Sequence, residues 1–211
     1  MNSFVKSVIT GGLTLTSLAA FGAISYAQED TIPVQKPFRV KIGGSFGGGQ
    51  VKADLGAIGS FELLKIDYRL NGGVAYDFTK TTATNPVIFN VYADYFTGSE
   101  ERSFSAGGQN FSFDTESTTI AIGVGARYLF APAIGTKGQP YGEFGLGYYS
   151  TKLDIDGDNE TEGGLGGKIA LGYQLSMGAF GEIEYTVIDK FSKEGVTYEP
   201  SSIRASIGYR F

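Results

Sequence analysis

The sequence predicts an all-β fold, an eight-stranded antiparallel up-and-down transmembrane β-barrel. Three observations predict it. Apolar and polar residues alternate with period two through eight separate segments, and a strand sorts residues this way because successive side chains face opposite sides. The polar parity mixes Gly, Ala and Ser with charges of both signs, which suits the cramped inside of a narrow barrel. Every second segment finishes in aromatics on its apolar parity, placing a ring of such side chains at one level, as at a lipid–water boundary.

The elements follow in order. Residues 1–27 open with Lys6, continue through a weakly apolar stretch and end in Ser25-Tyr26-Ala27, the pattern of a cleavable signal peptide. Residues 28–211 are then expected to form the barrel domain, with the formal charge moving from −5 to −6 once Lys6 is removed. The first strand sets Phe38, Val40, Ile42 and Phe46 against Arg39 and Lys41. The second reads as one long strand, with Leu64, Ile66, Tyr68, Leu70, Val74, Tyr76 and Phe78 against Lys65, Asp67, Arg69, Asn71 and Asp77. In the third, Val87, Phe89, Val91, Ala93 and Tyr95 oppose Asn90 and Asp94. The fourth sets Ile120, Ile122, Val124, Ala126, Tyr128 and Phe130 against Gly123, Gly125 and Arg127. In the fifth, Phe144, Leu146 and Tyr148 oppose Glu143 and Gly145. The sixth aligns Leu165, Ile169, Leu171, Tyr173 and Leu175 against Lys168, Gly172 and Gln174. The seventh aligns Ile183, Tyr185 and Val187 against Glu182 and Glu184. The eighth carries Ile203, Ala205, Ile207, Tyr209 and Phe211 opposite Arg204 and Arg210.

Links between these segments are generally long, then generally short, as in a meander whose hairpins open on two unlike sides. The long ones, such as "TGSEERSFSAGGQN" and "DIDGDNETEGG", read as polar loops. A soluble lipocalin-like barrel would alternate as well. The small residues among the charges and the aromatic strand ends place the apolar face outside. An expected strand running to Phe211 closes the cylinder, and closure removes the edge that hydrocarbon cannot tolerate.

The signal pattern, the eight alternating segments, "PYGEFGLGY" and the terminal "IGYRF" together resemble the small outer-membrane β-barrel family that includes OmpA-like and OmpX-like proteins. The resemblance spans essentially all of residues 28–211 and would leave no stretch for the peptidoglycan-binding domain that some relatives carry. It implies the outer membrane of a diderm bacterium, with lipid as a partner. It also implies that Ile203 to Phe211 are read by the barrel-assembly machinery.

The interior parity carries Arg39, Lys41, Lys65, Arg69, Arg127, Lys168, Arg204 and Arg210 with Asp67, Asp77, Asp94, Glu143, Glu182 and Glu184. Eight strands enclose only enough room for their own side chains, so these charges are expected to pair into a plug; Glu182 and Arg210 are one expected pair. A narrow water-filled pore is the alternative. Tyr76, Phe78, Tyr128, Phe130, Tyr173, Tyr209 and Phe211 are the expected girdle on the periplasmic side.

Other functions find little support. His and Cys are both zero, which removes the usual general base and the thiol nucleophile, so no catalytic site is expected. The scattered Lys and Arg of an acidic chain argue against nucleic acid. Asp154, Asp156 and Asp158 have the one-three-five spacing of a calcium loop, followed by Glu160 and Glu162. Asn159 stands at the turn glycine, however, and Leu165 at the closing Glu, so a solvated acidic loop is expected and no metal site. "GGLGGKI" lacks a Ser or Thr after Lys168 and is no phosphate loop. No cofactor is expected. The surviving functions are a structural or surface-interaction scaffold whose loops meet envelope or external partners, and a narrow passive pore.

Overall fold

A computed structural model describes residues 36–45, 50–54, 60–65, 68–79, 86–106, 109–130, 138–155, 157–193 and 196–211. Eight strands form a closed antiparallel barrel: β1 (Phe38–Ser45), β4 (Tyr68–Asp77), β5 (Val87–Ala106), β6 (Gln109–Leu129), β7 (Gly138–Ile155), β8 (Asp158–Leu175), β9 (Ala179–Ile188) and β12 (Ser202–Arg210). Each pairs with its neighbour along the chain, and β1 pairs with β12 to close the sheet, from Arg39 opposite Arg210 to Ser45 opposite Arg204. Four further strands, β2 (Gln50–Asp54), β3 (Ser60–Lys65), β10 (Phe191–Lys193) and β11 (Val196–Glu199), form a second sheet in the order β10-β11-β2-β3.

Alternation decides which way each barrel strand faces. Arg39, Asn71, Asp94, Arg127, Glu143, Lys168, Glu184 and Arg204 are buried inside. Ile42, Ile122, Leu146, Leu171, Ile183 and Ile207 are exposed outside. The barrel therefore carries charge within and hydrocarbon-compatible surface without, the reverse of a soluble barrel. A tight turn joins β8 to β9 at one end of the barrel. In the β8–β9 turn Gly178 sits at φ 108°, where its amide donates to Leu175 O at 3.0 Å; a residue with a Cβ is strained in that conformation.

Two expectations change. The long second strand is two: β4 belongs to the barrel, whereas β3 pairs with β2 outside it. The reason is partner supply, since β1 faces β4 only as far as Gly43 opposite Asn71. Beyond that rung the chain must find hydrogen bonds elsewhere. The polar stretches expected as loops are also strand. β5 and β6 stay paired from Val87 opposite Tyr128 to Ala106 opposite Gln109, and β7 and β8 from Gly138 opposite Leu175 to Ile155 opposite Asp158. A membrane crossing takes about 9–11 residues. β5 and β6, at 20 and 21 residues, carry the ladder far past it.

Ile207 is 71% exposed and lies midway along the outer face of β12. Replacing it with Arg is expected to destabilise the barrel by about 2–4 kcal/mol when it lies at the bilayer midplane, measured by urea unfolding in lipid vesicles.

Candidate functional site: the charged barrel interior

Inward-facing charges from all eight barrel strands meet in two layers. The layer nearer the β8–β9 turn is a closed ring in which three arginines alternate with three acceptors. Arg39 Nε donates to Asp77 Oδ1 at 3.2 Å and its Nη1 to Glu143 Oε2 at 2.9 Å. Arg127 Nε donates to the same Glu143 Oε2 at 3.0 Å and its Nη1 to Gln174 Oε1 at 3.4 Å. Arg210 completes the circle, with Nη1 donating to Gln174 Oε1 at 2.7 Å and Nη2 to Asp77 Oδ2 at 2.6 Å. These residues come from β1, β4, β7, β6, β8 and β12, so the ring spans the whole lumen.

The second layer holds Lys41, Lys168 and Arg204 against Asp94, Glu182 and Glu184. Lys41 Nζ lies 2.9 Å from Glu182 Oε1, 2.7 Å from Glu184 Oε2 and 3.4 Å from Asp94 Oδ1. Lys168 Nζ donates to Asp94 Oδ2 at 2.8 Å, and Arg204 pairs with Glu184 on the facing rung. Tyr141 donates its hydroxyl to Glu182 Oε2 at 2.7 Å. A 3.8 Å approach of Lys168 to Glu143 Oε1 joins the layers.

Of the expected interior residues, Asp67 lies outside the described residues, as do the side chains of Lys65 and Arg69. The expected Glu182–Arg210 pair does not form. Glu182 stands opposite Ser206, four residues short of Arg210, and each group takes other partners: Lys41 and Tyr141 for Glu182, Asp77 and Gln174 for Arg210. Strand order alone brought them near in expectation; the register separates them.

Aromatics inside the barrel escaped the sequence reading. Tyr92, Phe96, Tyr141, Tyr149 and Phe180 share the charged parity and are buried. They cover the cations: Lys168 Nζ sits 3.5 Å from the Tyr92 ring centre, Arg127 4.1 Å from that of Tyr141, and Arg204 4.3 Å from that of Phe96. Such stacking is favourable where the cation is desolvated. The signal was available, because Tyr92 falls midway between Asn90 and Asp94 on their own parity. Gly145 and Gly147 explain the small residues beside it. A Cβ built on either would come within 2.8 Å of the Tyr92 side chain.

At the opposite end the second sheet reaches into the barrel. Tyr198 of β11 is buried, and its hydroxyl lies 3.0 Å from Ser117 Oγ, on the inner face of β6. β11 leads into β12, and β12 stands four places from β6 in the eight-strand circle. Tyr198 is therefore a strut across the mouth.

On the outside, Tyr76, Phe78, Phe130, Tyr173, Tyr209 and Phe211 are exposed at the tight-turn end, and Tyr128 is half-buried edge-on to Phe130 at 5.1 Å. Phe89 stacks on Phe78 at 6.4 Å and adds to that row. Of the acidic stretch, Asp156 lies outside the described residues, and the residues on either side of it belong to the paired strands β7 and β8. Asp154 faces Asn159, and its Oδ1 accepts from the Gly157 amide at 3.0 Å. Strand alternation sends Glu160 and Glu162 to the other face from Asp154. Among the described residues no group of acidic side chains is placed to hold a metal.

A family model described as the outer membrane protein beta-barrel domain matches residues 13–211. The chain belongs to that family. It is thus an outer-membrane barrel protein. No curated protein sequence matches this barrel significantly. Among solved structures, Neisserial surface protein A (NspA) is similar at 17% identity, covering 82% of this chain and 97% of that one, with a TM-score of 0.49. Ail, the attachment invasion locus protein of Yersinia pestis, is similar at 16% identity, covering 84% and 100%, with a TM-score of 0.40. The outer membrane protease OmpT from Escherichia coli is similar at 10% identity, covering 88% and 99%, with a TM-score of 0.45.

A double-mutant cycle between Asp77 and Arg210 is expected to give a coupling of about 1–3 kcal/mol in unfolding free energy, and the cycle between Glu182 and Arg210 a value near zero.

Proposed function

We propose that this outer-membrane barrel is a non-catalytic structural and surface-interaction scaffold with a sealed lumen. The observation that carries the reading is the ring of Arg39, Asp77, Glu143, Arg127, Gln174 and Arg210, which crosses the barrel from wall to wall. Ions would have to break several buried charge-assisted bonds to pass, and breaking one buried pair costs about 3–5 kcal/mol. Tyr198 adds a second obstruction at the far mouth. The partners proposed are envelope or extracellular molecules met by the long β5–β6 and β7–β8 hairpins, which stand on a rigid base. The absence of His and Cys from the sequence supports the non-catalytic reading.

Single-channel recording of the full barrel in planar bilayers is expected to be silent. Stable, reproducible openings would move the assignment to the narrow pore. Export through residues 1–27 is part of the same proposal, as is recognition of Ile203 to Phe211 by the assembly machinery. Amino-terminal sequencing of the protein isolated from outer membranes is expected to begin at Gln28.

A further inference from the structure

The two charged layers differ in balance. The layer of Lys41, Lys168 and Arg204 meets three carboxylates. The ring layer has three arginines but only two carboxylates, because its third acceptor is the neutral amide Gln174. An arginine keeps its proton under ordinary conditions, so this layer holds one excess positive charge. It is well shielded from water, with Arg39 4%, Arg127 0% and Arg210 2% exposed. An uncompensated buried charge costs several kcal/mol.

Each guanidinium also keeps one nitrogen free. Arg39 Nη2, Arg127 Nη2 and Arg210 Nε are buried and have no hydrogen-bond partner among the described residues. The Asn90 amide is likewise without a partner. It sits on the rung between Asp77 and Gly125, beside the ring. A cavity of about 10 Å³, lined by Arg39, Lys41, Lys168, Tyr92, Phe180 and Asp94, abuts the layer. Of the ring's residues Arg39 alone lines it; Lys41, Lys168 and Asp94 belong to the balanced layer. The cavity has room for roughly one water-sized body.

From these facts we propose that the arginine ring binds one small monovalent inorganic anion of chloride size. The charge deficit is one, the free guanidinium groups are all N–H donors, and the cavity that adjoins the ring at Arg39 admits nothing bulky. A divalent oxyanion would reverse the imbalance and would not fit. The site stands whether or not the barrel is a scaffold, since it depends on the ring alone.

The test uses the full barrel refolded from urea into detergent in sodium chloride or in sodium gluconate at the same ionic strength. Thermal unfolding is expected to shift upward by about 2–6 °C in chloride at concentrations well above Kd. Gln174→Glu supplies the missing carboxylate and is expected to abolish that difference. Equal melting temperatures in the two salts for the unmodified protein, or a chloride dependence that survives in Gln174→Glu, overturns the proposal. Should Gln174→Glu not fold, crystals grown in bromide decide. An anomalous peak against Arg39, Arg127 and Arg210 supports the site, and its absence there overturns it.

Discussion

Inside a bilayer no water is available to a peptide group, so each backbone N–H and C=O must find its partner within the protein. The rungs between β1 and β12 meet that requirement for the two strands that would otherwise be edges. Closure with eight strands fixes the diameter, and that diameter leaves room for side chains only. The charged interior follows. Once lipid claims one parity of every strand, the other parity has nowhere to point but inward.

Such an interior is stable only if its charges satisfy one another. The closing seam shows how far this goes. Arg39 and Arg210 are direct cross-strand neighbours, a like-charge arrangement that is unfavourable by itself. Asp77 from the adjacent strand places one oxygen on each guanidinium, at 3.2 and 2.6 Å, and turns the repulsive rung into a bridge. Glu143 serves Arg39 and Arg127 in the same manner. Aromatics fill the remaining volume and cover the cationic faces, while Gly145 and Gly147 make room for Tyr92. Charge, ring and glycine are one packing solution.

The exterior divides along the axis. Aromatics border the apolar band at the tight-turn end, and Tyr209 donates its hydroxyl to Met177 O at 2.8 Å while its ring stays exposed. At the other end the strands continue as paired ladder. A hairpin whose root is anchored in a rigid barrel loses little further entropy when it stays in register. Surfaces held this way are suited to contact with other molecules.

Much was legible in the sequence because one parity rule governs every crossing strand. The placement of Ile42, Ile122, Ile183 and Ile207 outside, and of Arg39, Asp94, Glu143 and Arg204 inside, needs only period two and the knowledge of which face meets lipid. Pair identities were not legible. They depend on register and on contacts across the lumen: Glu182 sits four rungs from Arg210, and Arg39 reaches Glu143 over a separation of 104 residues. The inward aromatics were hidden for a related reason, since Tyr92 and Phe180 look lipid-facing to any reading that sorts by polarity alone. Nor could the sequence tell that polar hairpins stay in strand, or that β3 leaves the barrel to pair with β2. Local alternation belongs to one strand, whereas hydrogen-bond partners belong to the assembled sheet. Residue order therefore determined the faces, and only the closed tertiary structure decided who meets whom.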